Sequence, residues 1–229
     1  YYHCDRLGML VLQDMVQGGG AEIRSWDWSY KPTLFKASWS HFRDDVQRHR
    51  EKLNAGSAAY RDEWTRTCRD TVRLLANHPS VIGWSLFNEG WGQFNARAAF
   101  HMVRKLDPTR VIDAVSGWYD QGCGDFYSVH NYFRDLDVWP CRYGRAPFVS
   151  EFGGFSCRME GHSSLPECYG YEVYDNLDDW RDAVRALIAH MDALEAQGLA
   201  GYVYTQVSDI EEETNGLLTY DRRVDKLEE

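Results

Sequence analysis

The sequence lacks long apolar runs and lacks an excess of positive charge. No run of about 18 apolar residues occurs, so no segment resembles a transmembrane helix. The 229 residues include 25 Lys and Arg against 35 Asp and Glu, a formal net charge of −10. Nucleic acids and anionic membrane surfaces attract basic patches. We therefore predict that neither nucleic acid nor a membrane is a partner.

The sequence also lacks nucleotide-binding glycine motifs and paired cysteines. No GxGxxG or GxxxxGK[ST] follows a predicted strand, and Gly18–Gly20 has neither the spacing nor a helix pattern after it. The six cysteines form no CxxC pair and no zinc-finger spacing. Their scatter favours free thiols in a reducing, cytoplasmic compartment over disulfides in a secreted protein. These absences exclude dinucleotide, P-loop and zinc-finger functions.

Aromatic residues, in contrast, are abundant. They make up 14% of the chain, with 9 Trp and 14 Tyr. Core packing explains most aromatic side chains in an ordinary protein, but flat aromatic faces also stack on sugar rings. Three of the tryptophans, Trp26, Trp28 and Trp39, fall in one long predicted loop. They are candidates for outer sugar subsites, with packing inside the loop as the stronger alternative.

Short apolar strands alternate with amphipathic helices along the chain. Apolar residues at helical spacing predict helices over 64–75, 98–106 and 184–194, and residues 1–7 resemble a helix end capped by Gly8. Strands are predicted at 9–15, 81–89, 111–117, 126–132, 147–152 and 201–209. Repeated strand–helix units indicate a parallel sheet with helices outside it.

Two α/β architectures fit this alternation, an open doubly wound sheet and a closed (β/α)8 barrel. The missing nucleotide motifs favour the barrel. Because six strands are found and the chain opens on a helix end, we predict an incomplete TIM barrel with strands three to eight present and the first two missing. Residues 1–229 then form one partial catalytic barrel. Its unpaired first and last strands predict oligomers formed through exposed barrel edges.

Two glutamates end otherwise apolar strands, where barrel enzymes place catalytic groups. Glu89 ends VIGWSLFNE and Glu151 ends PFVSE. A charge there is costly unless it is solvated or partnered, and a salt-bridged rim carboxylate would explain either residue alone. The pair favours a two-carboxylate site of the kind that glycoside hydrolysis needs. Counted from barrel strand three, the two residues end strands four and seven, across the barrel mouth from each other.

The segments around these glutamates resemble glycoside hydrolase family 2, which contains β-galactosidases, β-glucuronidases and β-mannosidases. The similar segments are HPSVIGWSLFNEGWGQFN, APFVSEFGGFS and GLAGYVYTQVSDIEEETNGLLTYDRR. The resemblance implies that Glu89 is the general acid/base, Glu151 the nucleophile and Asn88 a ligand of the sugar 2-hydroxyl. It further implies a retaining exo-β-glycosidase of β-galactosidase or β-glucuronidase type, with a carbohydrate substrate and a covalent glycosyl-enzyme intermediate.

Further residues near strand ends are candidates for substrate binding. His130 and Tyr132 alternate along one strand and so face the same side, which places Tyr132 to donate a hydrogen bond to Glu151 or to substrate. A packed barrel residue is an equal alternative for Tyr132 and the preferred interpretation of His130. Trp91 and Trp118 are predicted sugar platforms, slightly favoured over packing.

Asp14, at the end of the first predicted strand, either binds substrate hydroxyls or makes a buried structural hydrogen bond. The magnesium-dependent β-galactosidases carry Glu and His ligands just after strand three, where this chain has MVQGGG. We therefore predict no catalytic metal and no other cofactor. The strand-two arginine that steadies the family's nucleophile is not found.

Two other function classes compete with the glycosidase. The first is a non-catalytic carbohydrate-binding barrel whose site has decayed, but the joint presence of Asn88, Glu89 and Glu151 favours the enzyme. The second is a barrel enzyme acting on peptides or phosphates. It lacks a nucleophilic Ser or Cys motif, metal ligands and a phosphate loop in this sequence.

Overall fold

The computed structural model describes residues 1–18, 42–139, 141 and 144–228. The predicted loop tryptophans Trp26, Trp28 and Trp39 lie outside the described residues, as does most of the Gly18–Gly20 run. The chain divides into two compact units. Unit 1 comprises residues Tyr1–Val129 and Cys141–Ala146, and unit 2 comprises His130–Pro140 and Pro147–Glu229.

Unit 1 consists of short parallel strands and the helices between them. Its described elements are α1 (Tyr2–Leu7), β1 (Val11–Asp14), α2 (Gln47–Lys52), α3 (Ala58–Leu75), β2 (Val81–Ser85), α4 (Ala96–Leu106) and β3 (Val111–Asp113). The three strands form a parallel sheet in the order β1-β2-β3. Helix α1 ends at Gly8 in the left-handed conformation, with φ of 72°, as the capping pattern predicts.

Helix α3 shows why the apolar spacing predicted this part of the fold. Its buried residues are Trp64, Cys68, Val72 and Leu75, the four positions whose spacing marks one face of a helix. The indole of Trp64 stacks on Phe87, just beyond β2, with ring centroids 4.5 Å apart. This contact fixes α3 against the sheet and anchors the segment that leads to Glu89.

The predicted strands over 81–89 and 111–117 are shorter in the structure than in the sequence pattern. Regular strand geometry ends at Ser85 in β2 and at Asp113 in β3. The backbone pairing nevertheless continues, because the Glu89 amide donates to the Ser116 carbonyl at 2.9 Å and Asn88 bridges Ser116 in parallel. The segments that follow β2 and β3 therefore remain paired, although their regular strand geometry is lost.

Unit 2 contains the second half of the predicted strands. The elements are β4 (Phe126–Asn131) and β5 (Ala146–Gly153), which both begin in unit 1, and β6 (Phe155–Ser156), β7 (Glu172–Val173), α5 (Leu177–Glu195) and β8 (Tyr202–Thr205). The sheet order is β4-β5-β8, and β6 pairs with β7 in parallel. The β6–β7 pair lies between the strand predicted over 147–152 and the helix predicted over 184–194, where the sequence pattern indicated no strand.

A buried ion pair closes the end of unit 2. The Lys226 ammonium is fully buried and donates to Asp209 Oδ1 at 2.8 Å and to the Thr214 carbonyl at 2.9 Å. It also lies 5.6 Å from the ring centroid of Trp180, a fully buried residue of α5. The segment after β8 is thereby held against α5.

All six predicted strands and the three predicted helices are present. Within the described residues the strands form two three-stranded sheets and one two-stranded sheet, and no closed barrel is seen. All six cysteines are free thiols. No helix in the described part of the chain is both long enough and apolar enough to cross a membrane.

A buried carboxylate ties the turn after α4 to the sheet of unit 1. Asp107, 5% exposed, accepts hydrogen bonds from Trp84 Nε1 at 3.0 Å, from the Thr109 hydroxyl at 2.6 Å and from Arg110 Nη1 at 2.9 Å. Burial raises the pKa of Asp107, but the donors on Thr109, Arg110 and Trp84 outweigh burial and hold that pKa well below its usual range.

Replacing this carboxylate should destabilise unit 1. We expect Asp107→Ala to lower the free energy of unfolding by about 3 kcal/mol, because it leaves the Arg110 charge and the Trp84 indole N–H without their buried partner. Asp62→Ala, on the exposed face of α3, is the control and should change the free energy by less than about 0.5 kcal/mol. Equal losses of unfolding free energy in the two variants would contradict a stabilising role for the buried Asp107 carboxylate.

The same carboxylate predicts a pH dependence. Its folded pKa is depressed, so its stabilisation is present above the unfolded pKa of about 4 and is lost as pH falls through the lower folded value. The difference in stability between the native protein and Asp107→Ala should therefore stay constant from neutral pH down to about pH 4 and shrink below it. Urea titrations over this pH range measure it.

Candidate active site

Glu89 sits in a strained backbone conformation at the end of the β2 segment. Its φ is +51°, in the left-handed region that residues with a side chain rarely adopt. Such strain costs about 1–3 kcal/mol and persists where the surroundings enforce it, most often at functional sites. Here the surrounding restraint is the hydrogen bond from the Glu89 amide to Ser116. The side chain is half-buried.

Asn88 and the two candidate sugar platforms, Trp91 and Trp118, differ in their exposure to solvent. Asn88 is half-buried, and its carbonyl accepts a hydrogen bond from the Trp91 amide at 2.9 Å. Trp91 is 38% exposed, which suits a sugar platform. Trp118 is 7% exposed and packs in a cluster with Leu53 and Tyr119. Its burial favours the packing alternative for Trp118 over a platform.

Asp14 lies at the carboxyl end of β1, in register with Ser85 of β2. The residue is exposed, and both alternatives for it, substrate binding and a structural hydrogen bond, stay predictions.

The carboxylate of Glu151 meets two partners of unit 2. The Tyr132 hydroxyl donates to Glu151 Oε2 at 2.6 Å, so the hydrogen bond predicted from strand alternation is present. His130 Nδ1 lies 3.3 Å from the same oxygen, and its side chain is 1% exposed. His130 is thus both packed and in contact with the carboxylate. The Glu151 side chain is 29% exposed and open to a ligand.

These contacts suit an ionised Glu151. Burial and the neighbouring negative charge of Glu151 raise the pKa of Tyr132 far above its usual range. The phenol therefore stays protonated at any physiological pH and remains a hydrogen-bond donor. A donor aimed at a carboxylate favours its charged form, which is the form a nucleophile needs.

Sequence reasoning missed two residues that contact Tyr132. The Thr205 hydroxyl, at the end of β8, lies 2.9 Å from the Tyr132 hydroxyl. The Tyr171 ring stacks on the Tyr132 ring, with centroids 4.0 Å apart and an interplanar angle of 8°. Thr205 lies in the middle of the strand predicted over 201–209, and only the structure shows that the strand ends at this residue. Tyr171 lies in the long loop after β5, and only the aromatic density of that loop pointed to it.

A cavity of about 880 Å³ opens beside this pair of rings. Its aromatic walls are Tyr132, Phe133, Phe155, Tyr171 and Tyr174, and its polar lining includes Arg134, Asp135, Glu172 and His190. Its volume is within the range of small-molecule sites.

A protein-family model matches this chain. The sequence model described as "Glycosyl hydrolases family 2, TIM barrel domain" matches residues 1–139, more than half of the chain. The chain belongs to glycosyl hydrolase family 2. Family membership supports the (β/α)8 barrel predicted from the alternation of strands and helices.

Curated relatives of this family 2 chain are named β-galactosidases. The Kluyveromyces lactis protein is 32% identical over 63 residues, 28% of this chain and 6% of the relative. A Klebsiella pneumoniae protein is 37% identical over 54 residues, 24% of this chain and 5% of the relative. "Beta-galactosidase 2" of Enterobacter cloacae is 26% identical over 130 residues, 47% of this chain and 12% of the relative. The matched part is a small fraction of each relative.

Solved structures share the fold. The β-D-glucuronidase of Dictyoglomus thermophilum has a TM-score of 0.51 and 20% identity, covering 71% of this chain and 33% of its own. A family 2 β-galacturonidase of Eisenbergiella tayi bound to galacturonate has a TM-score of 0.58 and 14% identity, covering 81% and 38%. At such identities the similarity shows the fold alone.

The loop after Glu151 in this family 2 chain depends on a glycine beneath the stacked tyrosines. Gly154 has φ of +66°, and a Cβ there would lie 2.4 Å from Tyr171 Cδ2 and 3.2 Å from Tyr132 Cδ1. Gly161, in the same loop, has φ of +77°, but a Cβ there would meet none of the described atoms within 4 Å. Gly161 therefore offers a matched control.

We expect Gly154→Ala to destabilise the protein more than Gly161→Ala. Both variants incur the cost of a left-handed alanine, about 1–2 kcal/mol. Only Gly154→Ala also pushes against the two rings, which adds about 1–3 kcal/mol. Denaturant unfolding measures both changes. Equal destabilisation would show that the ring contact is dispensable.

Proposed function

We propose that this family 2 chain carries the catalytic site of a retaining exo-β-glycosidase acting on β-galactosides or β-glucuronides. Glu151 is the nucleophile and Glu89 the general acid/base. The observation that carries this assignment is the hydrogen bond from Tyr132 to Glu151 Oε2, 2.6 Å long, on a carboxylate near the carboxyl end of β5. The names of the β-galactosidase relatives and β-glucuronidase neighbours support the choice of sugars.

In the first step Glu151 attacks the anomeric carbon while Glu89 gives its proton to the leaving oxygen, and the glycosidic bond breaks. In the second step Glu89 takes a proton from water, and the water oxygen displaces Glu151 from the sugar. Tyr132 keeps Glu151 ionised before attack and stabilises it again as it leaves. Asn88 bonds the sugar 2-hydroxyl.

The two carboxyl groups of a retaining enzyme are about 5–5.5 Å apart and act in turn on the same bond. Glu89 acts as the general acid while Glu151 attacks the sugar. Once Glu151 is glycosylated, Glu89 serves as the base. The other candidates supply binding, with Trp91 as a platform and Asp14 near the sugar hydroxyls, while the buried His130 contacts the Glu151 carboxylate.

Covalent trapping tests the nucleophile. A panel of 2-fluoro glycosides with dinitrophenyl leaving groups should form a stable glycosyl-enzyme, and mass spectrometry of the peptides should find the label on Glu151 with the preferred sugar. Glu151→Gln should take no label. The chain and the full polypeptide of its gene are both treated, because the matched part is 5–12% of the curated relatives. Label on another residue, or none on either protein, would overturn the proposal.

A second experiment tests the acid/base. Glu89→Gln should still be glycosylated by dinitrophenyl glycosides, whose leaving groups need no proton, but should turn over more slowly by about 10²–10⁴-fold. Added azide needs no general base, so it should restore turnover and yield the β-glycosyl azide. The basic limb of the pH profile should vanish in this variant. A bell-shaped profile with both limbs unchanged would exclude Glu89 from the role.

A further inference from the structure

We propose that Tyr171 is a positioning residue for the nucleophile, acting through the ring of Tyr132. This inference rests on the proposed function, because it assigns Tyr171 to the same site. The Tyr171 ring stacks on Tyr132, and the Tyr132 hydroxyl in turn donates to Glu151. The role of Tyr171 is to hold the neighbouring phenol in the orientation that reaches the carboxylate.

The orientation of Tyr132 needs external support. Its hydroxyl meets Glu151 Oε2 at 2.6 Å and Thr205 Oγ1 at 2.9 Å. A tyrosine ring moves between staggered wells, and a turn to another well would carry the hydroxyl away from both oxygens. The Tyr171 ring covers one face of Tyr132 nearly in parallel, at 4.0 Å and 8°. Motion of the ring in that direction is blocked.

Other rings hold Tyr171 itself in place. Phe133 meets it edge to face, with centroids 4.8 Å apart and an interplanar angle of 84°. Tyr169 does so at 6.1 Å and 64°. Edge-to-face geometry is a favourable arrangement of aromatic pairs. Tyr171 is thus the middle member of an aromatic cluster that ends on the partner of the nucleophile.

The backbone around Tyr171 is fixed to the strand that carries Glu151. The Tyr171 amide donates to the Gly154 carbonyl at 3.1 Å, three residues after Glu151. Beyond it, β7 pairs with β6 through Phe155 and Glu172. The Ser156 hydroxyl donates to the Tyr169 carbonyl at 2.6 Å on the other side. The loop therefore returns to the nucleophile strand and sets the ring there.

The exposure of Tyr171 argues against a purely structural role. The residue is 36% exposed, and Phe133 beside it is 58% exposed. A side chain retained for core packing alone would be buried like Trp180, which is fully enclosed under α5. What Tyr171 covers is the face of Tyr132, and Gly154 keeps the room for it.

The test is a double-mutant cycle read on the rate of covalent labelling of Glu151. Tyr171→Leu removes the flat ring and should slow labelling and lower kcat about tenfold, the size expected when a hydrogen bond to a charged group is weakened, with KM less affected. Tyr171→Phe keeps the ring and should stay within about twofold of the native rate. Tyr220→Leu, at an exposed tyrosine of the same unit, should leave the rate unchanged.

The decisive variant is Tyr132→Phe combined with Tyr171→Leu. If Tyr171 acts through the Tyr132 hydroxyl, the second change should have no further effect once that hydroxyl is gone. Additive losses, or an unchanged rate in Tyr171→Leu, would overturn the inference while labelling of Glu151 in the native protein still upholds the proposed function. Absence of label in the native protein would overturn both. Circular dichroism of each variant confirms the folded state.

Discussion

A carboxylate at the end of a buried strand must find partners or solvent, and the site is organised around this constraint. Glu151 meets it with one phenol, one imidazole and a partly open face. The pairing of Tyr132 with Glu151 in turn requires β4 and β5 to be neighbours, which the sheet order provides. The Tyr132 hydroxyl also meets Thr205, at the end of β8, the strand on the other side of β5. Residues at or near the ends of β4, β5 and β8 thus meet around Glu151 Oε2 and the Tyr132 hydroxyl that donates to it.

Much of this was predictable, because it follows from periodicity. The spacing of Trp64, Cys68, Val72 and Leu75 indicates one apolar helix face wherever the helix packs. Strand alternation put His130 and Tyr132 on one side, and the structure has both beside the same carboxylate. In each case the decisive information lies within a few residues of sequence.

The features that escaped prediction depend on partners far along the chain. Trp118 is buried in a cluster that includes the distant residue Leu53, and no local pattern indicates that cluster. Tyr171 reaches Tyr132 because β6 and β7 pair within a long loop. Each of these strands has two residues, too few to show an alternating pattern in the sequence. The left-handed backbone of Glu89 is enforced by Ser116, on a neighbouring strand path. Tertiary contact overrides local preference in all three.

The buried ion pair at the end of unit 2 has a consequence for chemical probing. Amine reagents attack an accessible amine, whereas Lys226 is fully buried and donates hydrogen bonds to Asp209 and to the Thr214 carbonyl. Acylation of this lysine therefore waits for the segment after β8 to separate from α5. The rate of Lys226 modification measures how often that segment opens, and the modification rate of the lysines at the surface is the internal reference. Modification of the Lys226 side chain thereby reports local opening at the end of unit 2.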